Sequence, residues 1–532
     1  MKLTFIGATH EVTGSCYFLE TNDKKILIDC GLEQGRDVYI NEDIPVPFDS
    51  IDAILLTHAH MDHAGRLPIA YAGGFRGKIH STGATSGLCD VMLLDSAHIQ
   101  EFEAEWKNRK GKRRSEEPRV PLYTVEDAKG TIGSFVSHEY KEKFELFDGI
   151  EVCFVDGGHL LGSASIEVWI TEEGIQKKIV FSGDIGNVNQ PLIKDPQYVK
   201  KADYVIMEST YGDRNHGVRP DYLGELTRIL QTTFDRGGNV IIPSFAVGRT
   251  QVLLYFMNKI KTNNLLMGHE GFKVYVDSPL ANEATEIFKE YMVGYYDNEA
   301  MEMVKKGINP LVFPGLIKSI TTEESKAINY DKDPKVIIAA SGMCDGGRIR
   351  HHLKHNIWRK ESTVLFVGHQ SKGTQGRAIL DGAKEINLFH ENISVHAEIC
   401  KMSGVSGHAD KEGLLTWIKQ YNPKPKRVFV VHGEAAVCED FTKILKEELS
   451  FHAIAPFSGD RFDLATNEML VRGSGIKISA DNENKKIISS YERLLAAGDR
   501  LLALIKGKGM KTEIDFGEMA DQIDALHEKM EK

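Results

Sequence analysis

The segment Thr57-His58-Ala59-His60-Met61-Asp62-His63-Ala64-Gly65 holds three histidines and one aspartate within six residues. It follows an apolar run, Ile51-Asp52-Ala53-Ile54-Leu55-Leu56, whose composition predicts a short buried strand. Because alternate residues of an extended segment point the same way, His58 and His60 can face one metal ion. Asp62 and His63 come after the turn, where we expect a helix to begin, and can face a second ion. Imidazole and carboxylate groups at this spacing predict a site for zinc or a related divalent metal.

The pattern of a strand followed by a ligand-type residue recurs further along the chain. Apolar segments run into Gly158-His159, into Gly183-Asp184 and into His432-Gly433. His159 can complete the site of His58 and His60, and Asp184 can bridge both metals because it carries two oxygens. The recurrence predicts that these residues meet at one edge of a sheet.

Asp29 also ends an apolar segment, Lys25-Ile26-Leu27-Ile28, and is followed by Cys30-Gly31. It can be a metal ligand, or it can orient one by accepting a hydrogen bond from an imidazole, as carboxylates around metal-binding histidines usually do. A plain turn aspartate is the third interpretation, and the neighbouring residues leave all three open.

The composition is that of an ordinary globular protein. A chain of 532 residues is longer than one hydrophobic core usually serves, which predicts two or three domains. The formal net charge of -11 argues against loose binding of nucleic acid over the whole surface, but it is compatible with a local basic groove. We find neither the order of a signal peptide nor an apolar run long enough to span a membrane. Seven scattered cysteines without a CxxC pair predict reduced, buried thiols in a cytoplasmic protein.

The middle of the chain predicts a second sheet. Four segments that begin near residues 239, 273, 335 and 363 each read as strand, loop and helix. Repeated units of this kind form parallel sheets with helices on their faces. The alternation of strands and glycine turns that marks the beginning of the chain then returns. We therefore predict an α/β protein with a first domain at 1–205 completed by 396–475, an inserted domain at 206–395, and a helical C-terminal extension at 476–532.

The loops of the inserted domain predict contacts with phosphate. In parallel sheets, the loops at the carboxyl ends of the strands bind ligands. Glycine with arginine or lysine suits phosphate, because backbone N–H groups can approach closely and a guanidinium binds in a bidentate manner. The candidate residues are Ser244, Arg249, Ser341, Gly342, Arg348, Lys372 and Arg377. Three histidines on one predicted helix, His351, His352 and His355, are interpreted as surface or groove residues and not as ligands.

Two further segments each keep two interpretations. The basic segment 107–114 can contact a phosphate backbone or can be a solvated loop. Near the C-terminus, apolar residues spaced three and four apart predict a helix that docks on the body or on a second copy, so that a homodimer is among the expected assemblies. The members of this stripe are Phe516, Met519, Ile523, Leu526 and Met530.

The HxHxDH motif with its downstream histidine and aspartate resembles the metallo-β-lactamase superfamily. Within it, the segments Met207-Glu208-Ser209-Thr210-Tyr211-Gly212-Asp213, Ser406-Gly407-His408-Ala409-Asp410 and Val431-His432-Gly433-Glu434 are similar to motifs A, B and C of the β-CASP nucleases. The resemblance is strongest with the branch of the pre-mRNA 3′-end processing endonuclease and its prokaryotic relatives, and RNase J is more distant. It implies a four-layer αββα sandwich with an inserted β-CASP domain, which is Rossmann-like.

The resemblance also implies two zinc ions that share one bridging carboxylate. The first would be held by His58, His60 and His159, the second by Asp62, His63 and His432, with Asp184 as the bridge and Asp29 in support. Manganese could occupy such a site in vitro.

The implied reaction is hydrolysis of phosphodiester bonds in single-stranded RNA, in RNA processing or decay, by an endonuclease, a 5′-to-3′ exonuclease, or both. Two zinc ions would activate a shared hydroxide, so that Asp62 and Asp184 are catalytic through the metals. His408 would be the general acid for the leaving 3′-oxygen, with Glu208 orienting it. The products would carry a 5′-phosphate and a 3′-hydroxyl.

Three alternatives stay open. Another hydrolase of the same fold would act on a thioester, a lactam or a small phosphodiester, but such substrates need no inserted domain. A DNA nuclease is disfavoured by His432, because the DNA-repair branch usually lacks a histidine in motif C. A non-catalytic RNA-binding subunit is disfavoured because every predicted ligand position is filled.

Overall fold

The computed structural model describes residues 1–34, 39–111, 118–217, 221–402 and 406–478. In the first part of the chain the strands are β1 (Lys2–Gly7), β2 (Cys16–Thr21), β3 (Lys24–Ile28), β4 (Ala53–Leu55), β5 (Lys78–Thr82), β6 (Phe135–His138), β7 (Lys143–Phe147), β8 (Ile150–Asp156), β9 (Ala164–Glu172), β10 (Ile175–Phe181) and β11 (Tyr204–Glu208). The helices of this part are α1 (Met61–Ala64), α2 (Leu67–Ala72), α3 (Gly83–Gly111) and α4 (Val125–Ile132).

The middle part alternates strands and helices. Its strands are β12 (Val240–Pro243), β13 (Lys273–Val276), β14 (Leu316–Lys318), β15 (Lys335–Ala339), β16 (Thr363–Phe366), β17 (Glu385–Leu388), β18 (Glu391–Ser394) and β19 (Glu398–Lys401). Its helices are α5 (Tyr222–Asp235), α6 (Arg249–Thr262), α7 (Pro279–Glu290), α8 (Asn298–Lys305), α9 (Thr322–Ala327), α10 (Ile349–Asn356) and α11 (Gln375–Leu380). The last part contains α12 (Lys411–Ile418), β20 (Arg427–Val431), α13 (Ala435–Glu447), β21 (Ala453–Ile454), β22 (Arg461–Asp463) and β23 (Glu468–Val471).

Two mixed sheets pack face to face. One has eight strands in the order β23-β22-β1-β2-β3-β4-β5-β6, and the other has seven in the order β21-β20-β11-β10-β9-β8-β7. Phe5 and Ile28 of the first sheet lie in one buried cluster with Phe181 and Phe429 of the second. The rings of Phe5 and Phe429 are 4.8 Å apart between centroids. This contact between the inner faces forms the core of a β-sandwich.

Helices cover both outer faces of the sandwich. Because successive residues of a strand point to opposite faces, each sheet also presents apolar residues outward. Leu27 of β3 packs in one cluster with Leu88 of α3, and Val205 of β11 packs in another with Trp417 of α12. The predicted four-layer αββα sandwich is therefore confirmed.

The third sheet has six strands in the order β14-β13-β15-β12-β16-β19, and every neighbouring pair is parallel. Its central strand β12 is buried throughout. Val240 lies in one cluster with Leu253 of α6, while Ile241 lies in a second cluster with Leu353 of α10. Helices therefore cover both faces of this sheet, and the predicted β-loop-α units are confirmed.

Strand pairing places the edges of the inserted sheet differently from the predicted boundaries. β11 crosses the boundary expected at 205, yet it pairs with β10 and β20 and so belongs to the sandwich. β19 lies beyond the end expected at 395 and pairs with β16. The six-stranded sheet thus runs from residue 240 to 401. The predicted boundaries followed the change in the pattern of strands and glycine turns along the sequence. That pattern does not show which strands pair with one another.

Among the described residues, 39–40 and 476–478 belong to a separate small unit in which Tyr39 forms an isolated β-bridge with Lys477. The predicted C-terminal helices lie beyond residue 478, outside the described residues. The basic segment begins within α3, where Lys107 pairs with Glu103. Its remainder, from residue 112, also lies outside the described residues.

All seven cysteines are free; six are buried, and Cys400 is half-buried, less than the sequence predicted. In the described part of the chain, no helix is both long and apolar enough to cross a membrane.

Candidate active site

The ends of parallel strands bring the candidate residues to one edge of the sandwich. In the eight-stranded sheet, Asp29 follows β3 and His58 comes shortly after its parallel neighbour β4. In the seven-stranded sheet, β10, β11 and β20 are parallel neighbours, and they lead to Asp184, Glu208 and His432 respectively. Carboxyl ends of parallel strands meet at the same edge, so residues far apart in sequence become neighbours.

Several of these residues, or their direct neighbours, have a left-handed backbone conformation. Asp29 has φ of 58° and His432 has φ of 50°, while Gly183, directly before Asp184, has φ of 56°. Side chains with a Cβ adopt this region at a cost of roughly 1–2 kcal/mol. Such conformations cluster at functional sites, where the surrounding structure imposes them.

Four donor atoms form a first candidate metal group. Nε2 of His58 lies 3.1 Å from Nδ1 of His60, which lies 3.2 Å from Nε2 of His159. Oδ2 of Asp184 is 3.4 Å from both Nε2 of His58 and Nε2 of His159. All four residues can direct one ligand atom at the same point.

A second candidate group lies on the other side of Asp184. Nε2 of His63 is 3.2 Å from Nε2 of His432, which lies 3.6 Å from Oδ2 of Asp62. Oδ1 of Asp184 is 3.2 Å from His63 and 3.4 Å from His432, measured to Nε2 in each case. One oxygen of Asp184 therefore faces each group, which is the arrangement of a bridging carboxylate.

The residues present fit a pair of zinc-like ions. A tetrahedral ion with bonds of about 2.0–2.1 Å to nitrogen spaces its ligands about 3.3 Å apart, close to the distances within both groups. The buried Oδ1 of Asp184 has no hydrogen-bond partner among the described residues. Buried polar atoms are normally paired, so this oxygen is placed for a cation.

The electrostatics of the two groups differ. Burial lowers the pKa of His58, and it lowers that of His60 to about 3. These imidazoles are therefore neutral at pH 7, as metal ligands must be. Burial alone would also lower the pKa of His63 and His432, but nearby carboxylates, Asp184 first, raise both. A metal bound by the second group would require both imidazoles to be neutral.

Hydrogen bonds to the ring nitrogens that face away from the candidate metal positions orient the imidazoles. Asp29 does not face the metal groups: its Oδ2 accepts from Nδ1 of His63 at 2.7 Å and from the hydroxyl of Thr57 at 2.9 Å. The hydroxyl of Thr210 lies 3.0 Å from Nδ1 of His432. Neither threonine was predicted as a site residue, although both lie within the quoted segments: Thr57 directly precedes His58, and Thr210 follows Glu208 by two residues. A hydroxyl close in sequence to a candidate ligand or a motif acid is the signal that could have found them.

His408 stands beside the metal groups with its own acidic partner. Nδ1 of His408 is 3.2 Å from Oε1 of Glu208 and 3.8 Å from Oδ2 of Asp184. Burial on its own would lower the pKa of this histidine, but the two carboxylates outweigh it and raise the pKa to about 9. The structure therefore brings His408 and Glu208 together as the sequence predicted.

A cleft of about 660 Å³ opens onto these residues. His60, Asp62, His159 and His408 line it on the side of the sandwich, and the loop 245–249 lines it on the side of the six-stranded sheet. Its volume is within the range of clefts that enclose most of a drug-sized ligand.

The predicted phosphate-binding residues take different positions. Arg249 lines the cleft. The hydroxyl of Ser244 is buried and donates to the carbonyl of Phe245. Lys372 is exposed away from the lining of the cleft. The other predicted residues, Ser341, Gly342, Arg348 and Arg377, are not part of the lining either.

Arg348 is held by a buried acid. Its Nη1 donates to Oδ1 of Asp277 at 2.7 Å, and Nε2 of His352 lies 2.6 Å from Oδ2 of the same carboxylate. His352 is fully buried, so its interpretation as a surface or groove residue is wrong: its ring fills a pocket next to Asp277. Arg377 instead pairs with Asp381, one helical turn away.

Three family models match the chain. The metallo-beta-lactamase superfamily matches residues 11–84, the Beta-Casp domain matches 250–379, and the Zn-dependent metallo-hydrolase RNA specificity domain matches 392–456. The first match contains the HxHxDH motif, and the last contains His408 and His432.

Three curated relatives match over most of their length. Ribonuclease TTHA0252 of Thermus thermophilus is 35% identical over 438 residues, which are 82% of this chain and 93% of that protein. Transcription termination factor FttA of Methanosarcina mazei is 30% identical over 86% of this chain and 70% of that protein. An RNase J-like protein of Methanocaldococcus jannaschii is 29% identical over 86% of this chain and 98% of that protein. These matches, together with the arrangement of the candidate metal ligands, show that the chain belongs to the β-CASP family of the metallo-β-lactamase superfamily.

Proposed function

We propose that this chain is a zinc-dependent ribonuclease that hydrolyses phosphodiester bonds of single-stranded RNA, leaving 5′-phosphate and 3′-hydroxyl ends. The observation that carries the proposal is the pair of ligand groups that share Asp184, with His408 and Glu208 beside them at the cleft. The match to an RNA specificity domain and the ribonuclease names of two relatives support RNA as the substrate.

The proposed metal content is two zinc ions per chain. His58, His60 and His159 would hold one, Asp62, His63 and His432 the other, and Asp184 would contact both. When bound, the pair lowers the pKa of a water molecule and neutralises charge on the phosphate. Thr57 and Asp29 keep the rings in place by hydrogen bonds on the side away from the cleft.

His408 is the proposed general acid. It lines the cleft, and the charge of Glu208 favours its protonated form, so it can give a proton to the leaving 3′-oxygen. Glu208 is itself fixed because its Oε1 accepts a hydrogen bond from the backbone N–H of Ile185 at 2.6 Å. A positioned donor of this kind contributes typically about 10²–10⁴-fold to a rate.

A timed gel tests the proposal. Zinc-loaded protein is incubated with 5′-end-labelled single-stranded RNA and, separately, with DNA of the same sequence. Internal RNA fragments with intact DNA are expected from an endonuclease, and early release of the labelled mononucleotide from a 5′-to-3′ exonuclease. If RNA stays intact while zinc is present in the protein, the proposal is wrong, and small-phosphodiester or thioester substrates are tested next.

We also infer from the sequence that the protein is cytoplasmic and that its C-terminal helix docks on the body or on a second copy, which in the second case would give a homodimer. The seven free cysteines support a reducing compartment. The apolar stripe from Phe516 to Met530 supports self-association. Light scattering coupled to size-exclusion chromatography distinguishes a dimer from the 59.4 kDa monomer.

A further inference from the structure

Phe245 places a large aromatic ring in the wall of the cleft. Its side chain is 48% exposed, and it lines the same cleft as His60, Asp62 and His408. Phe245 follows β12, the strand in the interior of the six-stranded parallel sheet. This is the edge of such a sheet where ligands bind.

Two glycines form a seat for this ring. β15 and β16 pair with β12 on its two sides, and each is followed by a glycine, Gly342 and Gly368. A Cβ atom at Gly342 would lie 3.3 Å from both Cδ2 and Cε2 of Phe245, and one at Gly368 would lie 3.8 Å from Cε2. A Cβ atom at Gly342 would therefore crowd one edge of the ring, whereas one at Gly368 would make ordinary van der Waals contact with it, and much of the ring stays exposed.

The backbone of Phe245 is fixed as well. Its carbonyl oxygen accepts hydrogen bonds from the hydroxyls of Thr250 at 2.7 Å and Ser244 at 3.1 Å. Both hydroxyl-bearing residues are buried. An exposed ring on such a rigid support loses little conformational entropy when it binds a flat partner.

Positive charge lies at the same wall. Lys401, at the end of β19, is exposed and lines the cleft. The guanidinium of Arg214 lies over the ring of Tyr211, another lining residue, at 4.9 Å, and its Nη1 also pairs with Asp213 at 3.2 Å. Burial lowers the pKa of His369, which lines the cleft as well, and the charges of Arg214 and Lys401 lower it further. In a chain of net charge -11, this local positive charge suits a polyanion.

We propose that Phe245 is a stacking platform for one unpaired base of the RNA substrate, and that Lys401 and Arg214 contact the adjoining phosphates. This assignment rests on the proposed ribonuclease function. Aromatic rings accept any base face, whereas a base within a duplex is already stacked on its neighbours. Phe245 therefore selects single-stranded RNA near the cleavage site without selecting its sequence.

The test compares Phe245→Leu, Phe245→Trp and the wild-type protein on two substrates. The first substrate is an intact single-stranded RNA. The second is a set of RNAs of the same sequence, each with one abasic nucleotide at a different position. Phe245→Leu is expected to lower kcat/KM on intact RNA by about 5- to 150-fold, the range measured for lost base stacking, and Phe245→Trp to retain it. When the abasic nucleotide occupies one particular position, cleavage by the wild type should become weaker, whereas cleavage by Phe245→Leu should not change.

Tyr330→Leu is the matched control, because this ring is 79% exposed but does not line the cleft. It should leave kcat/KM unchanged. The platform is refuted if Phe245→Leu cleaves intact RNA like the wild type, or if every abasic position affects both proteins equally. Loss of zinc from Phe245→Leu would also refute it, since the effect would then be structural. If the wild type cleaves no RNA at all, the ribonuclease proposal fails, and the platform with it.

Discussion

Nδ1 of His408 lies 3.2 Å from Oε1 of Glu208, a carboxylate that is almost completely buried. Burial of the imidazole opposes its charge, but Glu208 and then Asp184 raise the pKa of His408 to about 9. At neutral pH this histidine therefore holds a proton while it lines the cleft. This geometry supports the proposed role of His408 as a proton donor beside the candidate metal ligands.

Replacing His408 by Asn should separate metal binding from turnover. His408→Asn leaves both ligand groups intact, so zinc content should stay at the wild-type value. The rate of RNA cleavage at saturating substrate should fall by about 10²–10⁴-fold. His452→Asn, at an exposed position, should change neither quantity. Wild-type turnover by His408→Asn would remove this residue from the mechanism.

Glu208→Gln should change how cleavage depends on pH. The charge of Glu208 raises the pKa of His408, so an uncharged amide of the same shape lets that pKa fall. The protonated histidine is then lost at lower pH, and the alkaline limb of the kcat profile should move to lower pH than in the wild type. Rate measurements from pH 5 to 10 with constant zinc content check this. An unmoved alkaline limb would separate Glu208 from the protonation of His408.

Asp29→Asn should weaken zinc binding. Asn tolerates left-handed φ as Asp does, so the conformation at φ of 58° is retained. The other oxygen of Asp29 accepts from the backbone N–H of Thr57 at 2.8 Å, so the single amide oxygen can keep only that bond or the one to His63. The amide is a poorer acceptor for Nδ1 of His63, and loss of such a partner typically costs about 10–100-fold in metal affinity. Competition with a zinc chelator measures the change. Asp23→Asn, exposed and also left-handed, is the control and should bind zinc like the wild type.

Asp277→Ala should destabilise the fold. The buried carboxylate accepts from Arg348, from His352 and from the hydroxyl of Ser325 at 2.6 Å. Removing it leaves the buried Nε2 of His352 without this partner and takes the carboxylate away from the partly buried Arg348, and breaking a buried pair typically costs about 3–5 kcal/mol of unfolding free energy. Urea unfolding followed by circular dichroism measures the loss.

Asp381→Ala is the matched control for this change, because it removes the partner of Arg377 on the surface. Surface pairs of this kind contribute little, so unfolding should occur at the wild-type urea concentration. Equal effects of the two substitutions would contradict the structural role assigned to Asp277.

The sequence predicted which candidate metal ligands the structure brings together, because these residues are concentrated in short segments. His58, His60, Asp62 and His63 fall within six residues, and any fold that keeps them after one strand brings them together. The parallel sheet was predictable for a similar reason, since each strand-loop-helix unit is local. Boundaries were less accurate, because the pairing of β19 with β16 depends on the finished sheet.

Other features depend on contacts that no local pattern reports. Arg348 looks like a phosphate-binding residue in a glycine-rich loop, but it pairs with Asp277, 71 residues earlier. The seat of Phe245 likewise combines Gly342 and Gly368 from two different loops. Glycine and arginine in a loop are therefore compatible with phosphate binding, internal ion pairs or close packing, and only the tertiary structure distinguishes them.

Stepwise reconstitution of the metal-free protein with zinc, followed by RNA cleavage and zinc analysis on the same samples, tests whether cleavage requires two zinc ions per chain. The shared position of Asp184 between the two ligand groups predicts no cleavage without zinc and a plateau of activity at two zinc ions per chain. Asp184→Asn should bind less zinc and should not reach this plateau. Full cleavage by the chelated protein, or a plateau at one zinc ion per chain, would contradict a two-metal ribonuclease.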